Sequence, residues 1–83
     1  MKQIDEENLK KFANVVKRIR TAKSSSLNNI AFTRGGVTSA TLSRIENAQV
    51  DFKFSTLLKL AFTLDVTLEE LLKGFKYTPY NND

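Results

Sequence analysis

The chain is 83 residues long, 41% hydrophobic and 27% charged, with a formal net charge of +4, which is the composition of one ordinary soluble domain and excludes a disordered tail or a fibre. A domain of this size buries only roughly 60% of the surface its unfolded chain exposes, so a modest core and a tendency to oligomerise are expected. With neither Cys nor His, disulfides, thiolate nucleophiles and the commonest metal ligand and general base are all missing, and the expectation is a non-enzymatic protein with no metal site, no cofactor and no small-molecule ligand.

In the amino-terminal segment, Leu9, Phe12, Val16 and Ile19 recur at three- and four-residue steps, the spacing of one apolar helix stripe. Asp5, Glu6 and Glu7 stand where negative charge favours the start of a helix, so a first helix is predicted from about Asp5 to Lys23. The same segment carries no apolar run of signal-peptide length, and nowhere do about 18 apolar residues follow one another; the reading is a cytoplasmic protein with no membrane partner. Ser24, Ser25 and Ser26 end this helix or cap the next, a short second helix over about Leu27 to Arg34.

Gly35 and Gly36 permit the positive φ angles of a tight corner. Beyond it, Thr38 is a plausible N-cap for a third helix that turns Leu42 and Ile45 inward and leaves Ser39, Ala40, Ser43 and Arg44 outward. Asn47 to Asp51 reads as a loop. A fourth helix from about Ser55 to Leu64 has Leu57, Leu58, Leu60, Ala61 and Leu64 as its apolar set, with Phe54 and Phe62 assigned to the core or to an interface. Thr67, followed three residues later by Glu70, marks a capping box that opens a fifth helix, and Leu68, Leu71 and Leu72 are expected to close the core. The domain is placed at residues 1–74, with a tail over 75–83.

Charge is unevenly placed. Residues 10–53 hold nine basic and two acidic side chains, a net +7, while both flanks are net acidic. A basic centre is the electrostatic footprint of a polyanion, most often nucleic acid, although a merely solvated surface is the bland reading. A short helix, a glycine corner and a slim polar helix are also what a DNA-binding helix-turn-helix requires, because its second helix must enter the major groove.

At these residues the sequence resembles the Cro and phage-repressor type helix-turn-helix, the xenobiotic-response-element family of bacterial regulators. The resemblance covers about Phe12 to Gly74. It is carried by Lys17 to Arg20, Ile30-Ala31, Gly36-Val37, Thr41 to Asn47, Thr56 to Ala61 and Leu64 to Leu72. It implies an all-α, five-helix, lambda-repressor-like DNA-binding domain with the helix-turn-helix at the second and third helices. It further implies base contacts from Ser39, Ala40, Ser43 and Arg44, and phosphate contacts from Thr38 and Asn47 at the ends of the third helix, with Lys53 added to the phosphate set. Arg20 and Glu46 are implied to form a structural ion pair, although a phosphate contact by Arg20 is a rival role.

The sequence also departs from the family pattern. The corner is one residue longer, Gly35 being the extra one. A frequent phosphate-binding Gln falls at Leu27, so that contact is lost or passes to Ser26 or Asn28. The usual Gly after Asn47 is Ala48, and the usual Pro before the fourth helix is Phe52, which suggests an apolar loop packed down on the domain. Phe75, Tyr77 and Tyr80 are expected to pack on the core or to form a dimer interface. The expected function is a bacterial, phage or plasmid transcriptional regulator, a repressor or autoregulatory controller. It would bind a pseudo-palindromic double-stranded DNA operator as a homodimer, and its size is similar to that of restriction-modification controllers. The alternative is a helical protein-interaction module, antitoxin-like or anti-repressor, that keeps the fold without specific DNA binding.

Overall fold

A computed structural model describes residues 3–23 and 35–81. Among these residues there are four helices and no strand: α1 (Gln3–Ala22), α2 (Ser39–Glu46), α3 (Phe54–Leu64) and α4 (Leu68–Lys73). The protein is therefore all-helical over this part. The second of the five expected helices, Leu27 to Arg34, lies outside the described residues, and α2, α3 and α4 are the third, fourth and fifth.

Helix α1 begins with Asp5 and Glu6 in its first turn and ends with Arg20 in its last, an arrangement that complements the helix dipole at both ends. Phe12 and Val16 of the expected stripe are buried, but so are Ala13 and Val15. The buried stripe is thus wider than a single helix face, and Val15 borders a shallow depression that residues 74–76 also line.

Each later helix is bounded by a local device. Thr38 caps α2 in extended geometry, its side chain accepting a hydrogen bond from the Thr41 backbone N–H. Thr67 and Glu70 exchange the two bonds of a capping box at the start of α4. The two intervening helix ends turn through left-handed residues, Ala48 at φ 54° and Asp65 at φ 57°. At each, a bond spans six residues: Gln49 N–H reaches Arg44 O at 2.9 Å, and Val66 N–H reaches Ala61 O at 3.0 Å. These are Schellman closures, normally built on glycine. The Cβ of Ala48 costs about 1–2 kcal/mol in that conformation, a strain that the expected substitution of Ala for the family's Gly places here. Of the glycine pair, Gly35 takes the positive φ, at 91°.

The core consists of Phe12, Val16, Val37, Leu42, Ile45, Leu60, Ala61, Leu64 and Leu71. Phe52 packs down on it, its ring 5.6 Å from that of Phe12, and Leu57 and Leu68 border it. Two assignments to the core need correction, because Leu58 on α3 and Leu72 on α4 are exposed. Of the two places offered for Phe54 and Phe62, core or interface, their 66% and 59% exposure removes the core. Seven of the eleven residues of α3 are apolar, so its periodicity could not separate the face that packs from the face that does not. No helix among the described residues is long and apolar enough to cross a membrane.

Candidate nucleic-acid interface

Two attachments fix the orientation of α2. At its amino end, Val37 N–H donates to Thr63 Oγ1 of α3 at 2.9 Å, and Thr63 in turn donates to Lys59 O at 2.8 Å. At its carboxyl end, Arg20 grips Glu46 with a two-pronged bond, Nε to Oε2 at 2.6 Å and Nη2 to Oε1 at 2.8 Å. Both side chains are nearly withdrawn from solvent, at 12% and 6% exposure. The hydrogen bond to Glu46 holds the Arg20 guanidinium above its ordinary pKa, against the opposing effect of burial. Between these attachments Leu42 and Ile45 plug into the core at 0% and 2% exposure.

The opposite face of α2 is free. Ser39, Ala40 and Arg44 are exposed and Ser43 is half-buried. Among the described residues the Arg44 guanidinium has no hydrogen-bond or ion-pair partner, so its five donors in a planar fork are available to a ligand. Apart from Arg44, no side chain on this face is larger than Ser, which lets the helix backbone approach a surface closely.

The ends of the helix are more constrained. Thr38 Oγ1 accepts from Thr41 N–H at 3.1 Å and donates to Thr41 Oγ1 at 3.0 Å. Its only hydroxyl proton is thereby committed, and contact with an anion needs that proton redirected. Asn47 turns its side-chain amide back on the helix, donating to Ser43 O at 2.8 Å and Ser43 Oγ at 3.4 Å, so donation to a further acceptor needs the longer of these bonds released. Lys53 is exposed at the N-cap of α3, with no side-chain capping bond there. Ser26 and Asn28 lie outside the described residues.

Three contributors carry no signal along the chain. Lys10 and Asn14 of α1 border a depression shared with Glu46, Asn47 and Ala48, which extends the polar surface at the end of α2 onto α1. Thr63 had no signal at all, because its role depends on a corner residue 26 positions away. The tail residues are divided. Phe75 meets Phe12 edge-on at 5.6 Å, Tyr80 donates its hydroxyl to Asp5, and Tyr77 stays outward at 61% exposure.

A helix pinned at both ends, with a slim polar outer face behind a tight corner, has counterparts among known proteins. The family model for the HTH_3 helix-turn-helix matches residues 31–71. Over those residues the chain is similar to the HTH_3 helix-turn-helix. The chain is also similar to the crystal structure of an HTH_3 family transcriptional regulator from Vibrio cholerae, with a TM-score of 0.71 and 28% identity over 83% of this chain. It spans 38% of that protein's length. No curated protein matches the sequence. The matched helix-turn-helix segment includes α2, α3 and Thr63, whereas Arg20 and the tail that straps α1 lie outside it.

Proposed function

We propose that the chain is a sequence-specific, double-stranded DNA-binding transcriptional regulator that acts as a homodimer on a pseudo-palindromic operator. The observation that carries this reading is the outer face of α2, where an unpartnered Arg44 stands among Ser39, Ala40 and Ser43 while Leu42 and Ile45 lock the helix in place. A helix of that shape fits the B-DNA major groove. An Arg fork there can bond O6 and N7 of one guanine together, which is worth about 1–3 kcal/mol of discrimination.

Thr38, Asn47 and Lys53 would hold flanking phosphates, with Ser26 and Asn28 at the start of the preceding segment in the same role. The basic centre of the chain supplies the salt-dependent part of the affinity. Two copies of α2 would enter successive major grooves about 34–36 Å apart, or a multiple of that spacing. Repression or autoregulation follows if the bound dimer covers a promoter.

Selection of bound sequences from a random duplex library near physiological salt, with Arg44→Ala run in parallel, tests the reading. The expected result is an enriched inverted repeat whose guanine preference relaxes in the variant, with affinity falling log-linearly as salt rises. Folded protein that enriches no sequence would leave the interaction-module alternative in its place.

A further inference from the structure

Among the described residues, three large apolar side chains left in solvent share one helix. Phe54, Leu58 and Phe62 are 66%, 44% and 59% exposed, and they fall at i, i+4 and i+8 of α3. That spacing stacks them as one ridge along a single helix face. Lys59 is the only charged side chain of α3. Monomeric proteins seldom show a contiguous apolar ridge of this kind unless something covers it.

The order of the ridge identifies what that is. Read in either direction it is Phe, Leu, Phe, so it is its own complement when reversed. A two-fold interface requires one patch to match itself under that reversal. We infer that α3 is the dimerisation helix, packing antiparallel on α3 of a second copy of this chain, with Leu58 on the two-fold axis and Phe54 of each copy against Phe62 of the other. This deepens the homodimer reading above and rests on it.

The size of the ridge is sufficient for the centre of such a contact. Two Phe and one Leu exposed to this degree offer roughly 300 Å² per copy, a large part of the ~800 Å² per partner of a standard interface. Ser55 and Lys59, both exposed beside the ridge, form a polar rim of the usual kind. DNA does not fit here, since one lysine beside three apolar side chains offers little to phosphates. The tail is a poorer candidate for the second copy, because Phe75 and Tyr80 are engaged within their own chain.

The test is sedimentation of the full chain without DNA, comparing wild type with Leu58→Glu and Tyr77→Glu, each verified as folded by its thermal melt. The expected result is a wild-type dimer whose dissociation constant rises at least about thirtyfold in Leu58→Glu and stays unchanged in Tyr77→Glu. Because the chain contains no cysteine, Leu58→Cys supplies a gentler second variant, and mild oxidation should cross-link it into a covalent dimer while Tyr77→Cys stays monomeric on a denaturing gel.

A wild-type monomer, a dimer that survives Leu58→Glu, or cross-linking through Tyr77→Cys instead of Leu58→Cys overturns the inference. A Leu58→Glu melt lowered without any change in mass does so too, by assigning the ridge to packing within the chain. DNA affinity is read separately: an α3 dimer that selects no sequence counts against the regulator and not against the interface.

Discussion

The two ends of α1 are held by different chemistry. Its carboxyl end is joined to α2 by one nearly buried ion pair, Arg20 with Glu46. Its amino end is strapped by the tail through several weaker bonds. Asn8 offers its side-chain amide to the backbone of Thr78 in both directions, donating to the carbonyl at 3.1 Å and accepting from the N–H at 2.5 Å. Lys11 donates to Thr78 Oγ1 at 2.6 Å, and Tyr80 to Asp5. The first attachment concentrates its energy in two charged groups away from water. The second distributes it over exposed or half-exposed groups, each of which can exchange its partner for solvent. The difference suggests that the end beside α2 must keep a fixed angle, whereas the end under the tail needs only to be covered.

Removing one partner at the carboxyl end should produce the largest effect. Arg20→Ala leaves the Glu46 carboxylate largely buried with its principal partner gone, and a cost of about 3–5 kcal/mol is expected, a large share of the stability of so small a domain. Denaturant unfolding measures it. DNA binding should then fail through loss of α2, with a lowered melting temperature, whereas Arg44→Ala should weaken selection with the melt unchanged. An Arg20→Ala protein as stable as wild type would show that the pair is not what holds α2.

The same contrast marks what could be read from the sequence. Local devices were legible: the Thr38 cap, the Thr67 and Glu70 box, and the inward Leu42 and Ile45 all follow from neighbours a few residues apart. The pairing of Arg20 with Glu46, 26 residues apart, came from the family resemblance and not from spacing. Nothing local marked Asn8 and Thr78, 70 residues apart, because an Asn on a helix surface looks the same whether it faces water or a returning tail. The choice between core and interface for Phe54 and Phe62 stayed open for a related reason. A helix that is apolar on nearly every side carries no periodic signal of which side is free, and only the packed structure shows that Leu60, Ala61 and Leu64 point inward.

At the amino end a smaller loss is expected. Asn8→Ala removes both bonds to Thr78, each worth about 0.5–1.5 kcal/mol, while gaining some helix propensity on α1. The net destabilisation should be about 1 kcal/mol, and amide exchange over residues 75–81 should rise well before that of α1. If the tail exchanges no faster in this variant, the packing of Phe75 on Phe12, and not the strap, is what retains it.

The smallest effect separates the outermost strap bond from the rest by pH. The hydrogen bond to Asp5 is the main cause that raises the Tyr80 hydroxyl above its usual value, helped by partial burial and by the negative charge of Asp5. A group whose pKa is higher in the folded state than in the unfolded one stabilises the fold fully below its unfolded value. That contribution disappears as pH rises through the folded one. The Tyr80 contribution should therefore be complete below about pH 10 and fade at more alkaline pH, as the phenolate and the Asp5 carboxylate come to repel each other. Ultraviolet titration of the phenols checks this. Wild type should show a late-ionising component that Tyr80→Phe removes and Asp5→Asn brings to lower pH. An unchanged ionisation in Asp5→Asn would mean that burial of the ring, and not the carboxylate, sets it. The strap would then end at Thr78.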